Sequence, residues 1–164
     1  MSGSDNAKMA KALEKFGVNL VDVVRDTHAD TMIRVSSLLE EIFELSIRMA
    51  MLNAGQKVND RMFTRDGELA TLEKKINKAK DLNLLDDTAF TDAHLVRRIR
   101  NKFAHRRERL HFDSSKVVAL ARQLSTYEKA ESNQDAILKA VSTIVDQLKA
   151  NARGRYPVSL PSTV

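Results

Sequence analysis

The sequence contains no cysteine, only two prolines and five glycines, and few aromatic residues. Without cysteine, the 164-residue chain forms no disulfides, thiolate metal sites or thiol nucleophiles. No apolar run reaches the roughly 18 residues that a membrane-spanning helix needs. The first residues, MSGSDNAKMAKALEKF, lack the continuous apolar core of a signal peptide. These absences predict a soluble, cytoplasmic protein without membrane contacts.

Alanine, leucine, lysine, glutamate and arginine are plentiful, whereas alternating strand patterns are scarce. This balance favours helix. Apolar residues recur three and four positions apart in about six segments. We therefore predict an all-α fold, an antiparallel helical bundle of about six helices. Residues 1–152 would form a single domain, and residues 153–164, which hold both prolines, would form a flexible C-terminal tail.

The most apolar segment, from about Asp30 to Asn53, is predicted to be the central core helix, and the following Ala-Gly55 is typical of a helix stop. On one flank, Glu40, Glu41 and Glu44 either face water or receive basic residues across an interface. Asp86 or Asp87 is placed to cap a later helix. The other predicted helices cover about 4–24, 68–83, 87–105, 115–127 and 134–151, with one short helical turn within 56–67.

Positive charge is concentrated between Arg97 and Arg109. This stretch holds six arginines and one lysine against Glu108, a net charge of +6, so the other 151 residues carry −1 of the total of +5. Such a local excess predicts contacts with phosphate or with a nucleic-acid backbone. The alternative is a helix end whose basic side chains satisfy terminal carbonyls. The residues predicted for phosphate contact are Arg97, Arg98, Lys102, Arg106, Arg107 and Arg109.

Inside this stretch, Arg100, Asn101 and His105 spell Arg-Asn-x-x-x-His near a helix end. Metal-free RNA cleavage needs a base for the 2′-hydroxyl, here His105, and a cation for the transition-state charge, here Arg100. Asn101, four residues before His105, would orient the imidazole. Arg100 and His105 are about 140° apart on an ideal helix, so convergence needs a helix end or a symmetric partner. The catalytic interpretation therefore predicts a homodimer.

A purely structural interpretation of the same three residues remains open. A histidine near a helix C-terminus is favoured by the helix dipole. In this interpretation Asn101 binds the following loop, and Arg100 pairs with an acid of the core helix, Glu40, Glu41 or Glu44.

The Arg-Asn-x-x-x-His motif resembles the signature of HEPN domains, many of which are metal-independent endoribonucleases that act as dimers. The wider stretch, from GELATLEKK through the Ile-Arg-Asn-Lys-Phe-Ala-His helix to LHFDSSKV, resembles the mannitol operon repressor family over roughly residues 31–125. The second resemblance implies a cytoplasmic regulator of transcription that works through protein or nucleic-acid contacts. The first implies the alternative, an endoribonuclease of the toxin or defence type.

Other sites have little support in the sequence. His28, His94 and His111 stand apart, without carboxylates at a metal-ligand spacing, so we predict no metal and no cofactor. Glycine-rich phosphate loops and Ser-His-Asp arrangements are absent. A helix-turn-helix pattern does not stand out, which disfavours direct reading of DNA.

The endoribonuclease hypothesis makes a direct prediction. Purified protein would cleave total RNA in the presence of EDTA, because neither His105 nor Arg100 needs a metal, and His105→Ala would abolish the cleavage. Denaturing gels measure both. Intact RNA with either protein would contradict the hypothesis and favour the regulator.

Overall fold

The computed structural model describes residues 28–104 and 110–153. These residues form five α-helices and two short 3-10 helices, without a strand, so the predicted all-α helical bundle is confirmed. The helix predicted over 4–24 lies outside the described residues. None of the described helices combines the length and apolar character that a membrane span requires. The α-helices are α1 (His28–Asn53), α2 (Leu72–Asp81), α3 (Asp87–Ala104), α4 (Ser115–Ala121) and α5 (Asn133–Arg153).

Helix α1 occupies the centre of the bundle, as predicted, and packs against α2, α3 and α5. Its exposed residues form a narrow strip, and the buried apolar side chains cover the remaining faces. A helix that is apolar on most of its circumference is stable only inside a core. The large side chains that it buries completely are Met32, Leu39, Ile42, Phe43 and Ile47.

The end of α1 is set by a glycine. Gly55 has a φ of +70°, a conformation that costs glycine nothing. The Gln56 N–H donates to the Met51 carbonyl at 2.9 Å, and the Gly55 N–H donates to the Leu52 carbonyl at 3.0 Å. This pair of bonds is a Schellman motif, so the predicted stop after Asn53 is confirmed.

Helices α3 and α5 run antiparallel, because the start of α3 meets the end of α5. Asp86 caps α3 by accepting the Ala89 N–H at 2.7 Å, and the Gln147 side chain donates to its second oxygen at 2.7 Å. The Ala89 N–H, and next the Gln147 amide, hold the pKa of Asp86 below its ordinary value. Nearby, the Asn151 side chain donates to the Leu84 carbonyl at 3.0 Å. The predicted cap at Asp86 is confirmed.

Helix α2 begins at Leu72, four residues later than predicted. Thr71 is its cap and accepts the Lys74 N–H at 3.3 Å. The residues before it pack on the 3-10 helix Asp60–Phe63, whose Met62 carbonyl accepts the Leu69 N–H at 2.7 Å. A Cβ at Gly67 would lie 2.2 Å from the Met62 carbonyl oxygen. This close approach explains the glycine and delays the start of α2.

Helix α4 ends at Ala121, earlier than the predicted Tyr127. The buried Asp92 carboxylate of α3 accepts the Ser125 N–H at 3.1 Å and the Ser125 hydroxyl at 2.5 Å. Two hydrogen bonds to a buried carboxylate stabilise the fold more than one further backbone hydrogen bond of the helix would. The chain therefore turns at Ser125 and continues into a second 3-10 helix, Tyr127–Lys129.

An ion cluster around the buried Lys75 joins α1 to α2. The Lys75 side chain is 5% exposed, and its Nζ lies 2.8 Å from Glu40 and 3.6 Å from Glu44. Arg48 binds Glu44 at 2.9 Å and Asp60 at 2.7 Å. Glu40 and Glu44, each about a third exposed, thus receive a lysine of α2 within the bundle instead of the basic segment, whereas Glu41 faces water, as one of the two alternatives predicted.

Lys75→Met should lower the free energy of unfolding by about 2 kcal/mol, because the apolar stem remains packed while Glu40 loses its cation and Glu44 keeps only Arg48. Urea denaturation measures the difference. Lys74→Met is the matched control, since Lys74 is exposed on the same helix, and it should change the value by under about 0.5 kcal/mol. Equal stabilities of the two variants would show that the cluster contributes nothing.

Candidate interaction site at the end of α3

Five of the predicted site residues lie in the last two turns of α3, where the structure describes Arg97, Arg98, Arg100, Asn101 and Lys102. Their environments differ, although their sequence positions are nearly adjacent. The remaining predicted site residues fall outside the described ranges. These are His105, Arg106, Arg107 and Arg109.

Arg97 is turned towards α2. Its guanidinium lies 3.3 Å from the Glu73 carboxylate, and its Nε is buried without a hydrogen-bond partner among residues 28–104 and 110–153. One turn earlier, His94 Nε2 lies 3.1 Å from the Asn77 side-chain oxygen. These two pairs, one helical turn apart, connect α2 to α3, which run antiparallel. Arg97 therefore forms an ion pair with a neighbouring helix, which makes it a poor candidate for phosphate contact.

Arg98 and Lys102 are both exposed and lie on one flank of α3, four residues apart. On an ideal helix this spacing puts them about 40° apart and about 6 Å along the axis. Neither has an ion-pair partner among residues 28–104 and 110–153. These two cations, one turn apart, form a compact positive site that no acid of the described residues neutralises.

Arg100 is exposed on the other flank, about 160° from Arg98 on an ideal helix. Its guanidinium donates to the Asn101 side-chain oxygen at 3.2 Å. The alternative pairing of Arg100 with the acids of α1 is not what the structure shows, since Glu40 and Glu44 bind Lys75 and Arg48 instead. We call Arg98, Arg100 and Lys102 the basic end of α3.

The catalytic set cannot be assembled from the described residues, because His105 lies outside them. The structure brings Arg100 and Asn101 together on the surface, and the roles assigned to all three residues stay predictions. No group of three or more histidine or carboxylate side chains is placed to hold a metal in the part of the chain that the structure describes.

Two histidines that are distant in the sequence meet beside the basic end. The rings of His28 and His111 are 5.3 Å apart and perpendicular, and His28 also lies 4.9 Å from the Phe112 ring. Phe112 in turn packs against Phe103 of α3 at 5.3 Å. Phe112 is 3% exposed and anchors the returning chain, as predicted. The histidine pair itself was missed, because residues so far apart share no local pattern.

At the same end of the bundle, an open cleft of about 490 Å³ lies between the chain before α4 and the start of α5. Asp113 accepts the Asn133 side-chain N–H at 2.7 Å on its wall. The cleft is lined by acids, whereas the end of α3 carries cations. No motif in the sequence predicted this cleft. The cleft is lined by Asp113, Tyr127, Glu128, Ala130, Glu131, Ser132 and Asn133.

No protein-family model and no curated protein sequence matches this chain. Among solved structures, it is similar to a chain in the X-ray structure of the MtlR–HPr complex from Escherichia coli. The TM-score is 0.56 at 12% identity, and the match covers 87% of this chain and 98% of that chain. The described bundle therefore has an MtlR-like fold.

His94 should make the protein less stable in mild acid. Burial against α2, and then the charge of Arg97, lower the pKa of His94, whereas Glu73 opposes them. The unfolded chain thus takes up a proton more readily, so stability falls as the pH drops from about 7 to about 5. His94→Gln should make this fall shallower, measured as the urea midpoint at both pH values. An unchanged pH dependence would contradict the assignment.

Proposed function

We propose that this chain is a regulatory protein that acts by binding another protein through the basic end of α3. The observation that carries the proposal is the pair Arg98 and Lys102, exposed one turn apart without an acidic partner among the described residues. Uncompensated surface cations raise the rate and the specificity of association with an acidic partner surface. Arg100 extends the positive field to the other flank.

A protein partner is favoured over nucleic acid by the packing of α3. The helix contacts α1, α2, α4 and α5, and none of its residues 92–97 is exposed, so it offers no continuous exposed face to a major groove. Single-stranded nucleic acid needs exposed aromatic side chains for base stacking. Phe103 and Phe112, the aromatic residues nearest to the basic end, are 6% and 3% exposed.

The fold comparison suggests what to test as the partner. The solved structure that shares this fold is a complex of MtlR with HPr, and the resemblance to mannitol operon repressors implies regulation. We therefore propose an HPr-type protein as the partner. Regulation of an operon would then follow from protein contact rather than from base reading.

The predicted homodimer has less support than the protein partner. Stable dimers bury about 1,200–2,000 Å² and centre on apolar patches. Among the described residues, Ile33 is the one large hydrophobic side chain that is exposed, at 44%. A dimer would thus have to use polar contacts or residues outside the described ranges. Light scattering of the purified chain distinguishes monomer from dimer.

Calorimetry tests the proposal by measuring the affinity of the chain for purified HPr. The HPr proteins are those of Escherichia coli and of the organism from which this chain comes. The double variant Arg98→Glu, Lys102→Glu should weaken binding at least about tenfold, because two attractive charges become repulsive. Lys57→Glu is the control, since Lys57 is exposed just beyond the C-terminal end of α1, whereas the basic end of α3 lies at the N-terminal end of α1, where Phe103 and His28 both contact Phe112. It should leave the affinity within about twofold.

Two results would overturn the proposal. One is the absence of binding to either HPr. The other is tight binding to a short DNA duplex or RNA strand at about 0.15 M salt that the double variant abolishes, because the same cations would then serve phosphate contacts.

A further inference from the structure

His28, in the first turn of α1, makes one polar contact across the bundle. Its Nδ1 accepts the backbone N–H of Phe112 at 3.1 Å, a bond between residues 84 positions apart. The His28 ring also lies against the Phe112 ring, and perpendicular to the ring of His111. Phe112 follows the basic run closely in the sequence, so His28 fixes the backbone of the chain just beyond that run.

The direction of this hydrogen bond defines the state of the imidazole. A ring nitrogen accepts a hydrogen bond only through a free lone pair, so Nδ1 is unprotonated and the proton of neutral His28 is on Nε2. The imidazolium ion carries protons on both nitrogens and accepts nothing. Protonation of His28 therefore removes the acceptor for the Phe112 N–H, and a part-buried N–H without a partner is unfavourable.

We propose that His28 is a proton-sensitive latch: neutral His28 holds Phe112 and the segment around it against α1, and protonated His28 releases them. The bond and ring contacts of His28 carry this inference, which does not depend on the proposed partner. Release frees the anchor residue Phe112 directly after the basic run. A change in pH would therefore change the position of the chain at that end of the molecule.

Several charged groups belong to the elements that meet at His28. On α1 these are Asp30 and Arg34, the 110–114 segment contributes His111 and Asp113, and α4 begins near Lys116. Arg100 and Lys102 project from the end of α3, whose Phe103 packs on Phe112. Between about pH 7.5 and about pH 5.5, imidazole is the side chain of these types that ordinarily changes charge. Among the described residues, a response in that window that is confined to Phe112 therefore belongs to His28 or to His111, whereas His94 of α3 acts through the stability of the whole bundle.

Hydrogen exchange of the Phe112 amide, followed by NMR on the full chain, tests the latch. In the wild type, the protection factor, corrected for the intrinsic exchange rate, should fall about tenfold between about pH 7.5 and about pH 5.5. His28→Asn supplies an amide oxygen that accepts the same N–H and does not titrate. Its Phe112 protection should change by less than about twofold over the same range.

His111→Gln separates the two histidines, and it should keep the response of the wild type. A second measurement covers the case in which His28→Asn does not fold. Long-range ¹H–¹⁵N spectra of the wild type at about pH 7.5 should show the His28 proton on Nε2. Protonation on Nδ1, or a pH response of Phe112 that survives in His28→Asn, would overturn the latch.

Discussion

The burial of helix α1 is the constraint on which the rest of the structure depends. A helix that is apolar over most of its surface has to be enclosed, and α2, α3 and α5 enclose it. Enclosure buries the ammonium group of Lys75 against α1, which is costly unless carboxylates pair with it. Lys75 supplies the cation for Glu40 and Glu44, so the ion cluster is a consequence of the packing as well as a support for it.

The same packing leaves little of α3 for function. Four helices surround it, Asp92 is used to hold the turn at Ser125, and Arg97 is used to hold α2. In its last two turns, the basic end remains accessible. The function proposed for this end rests on charge rather than on apolar area, and the anchor at Phe112 connects this end to His28 of α1.

Much of the fold follows from local patterns. The periodicity of apolar residues predicted the helices, Gly55 predicted the end of α1, and Asp86 predicted the start of α3, because caps and periodicities depend on residues within a few positions. The start of α2 and the end of α4 were predicted wrongly. The start of α2 depends on the packing of Gly67 and Leu69 against the Met62 carbonyl, and the end of α4 depends on the buried Asp92 carboxylate of another helix, and helical periodicity encodes neither contact.

The sequence by itself determined the all-α class, the caps and the concentration of charge between Arg97 and Arg109, since these follow from composition and near neighbours. Only the tertiary structure decided which cations are neutralised. Arg97 has Glu73, whereas Arg98 and Lys102 have no acidic partner in the described ranges. The tertiary structure also decided that His28 meets Phe112. The physical reason is that each pairing joins helices far apart in the chain, and the packing of α1 sets which faces meet.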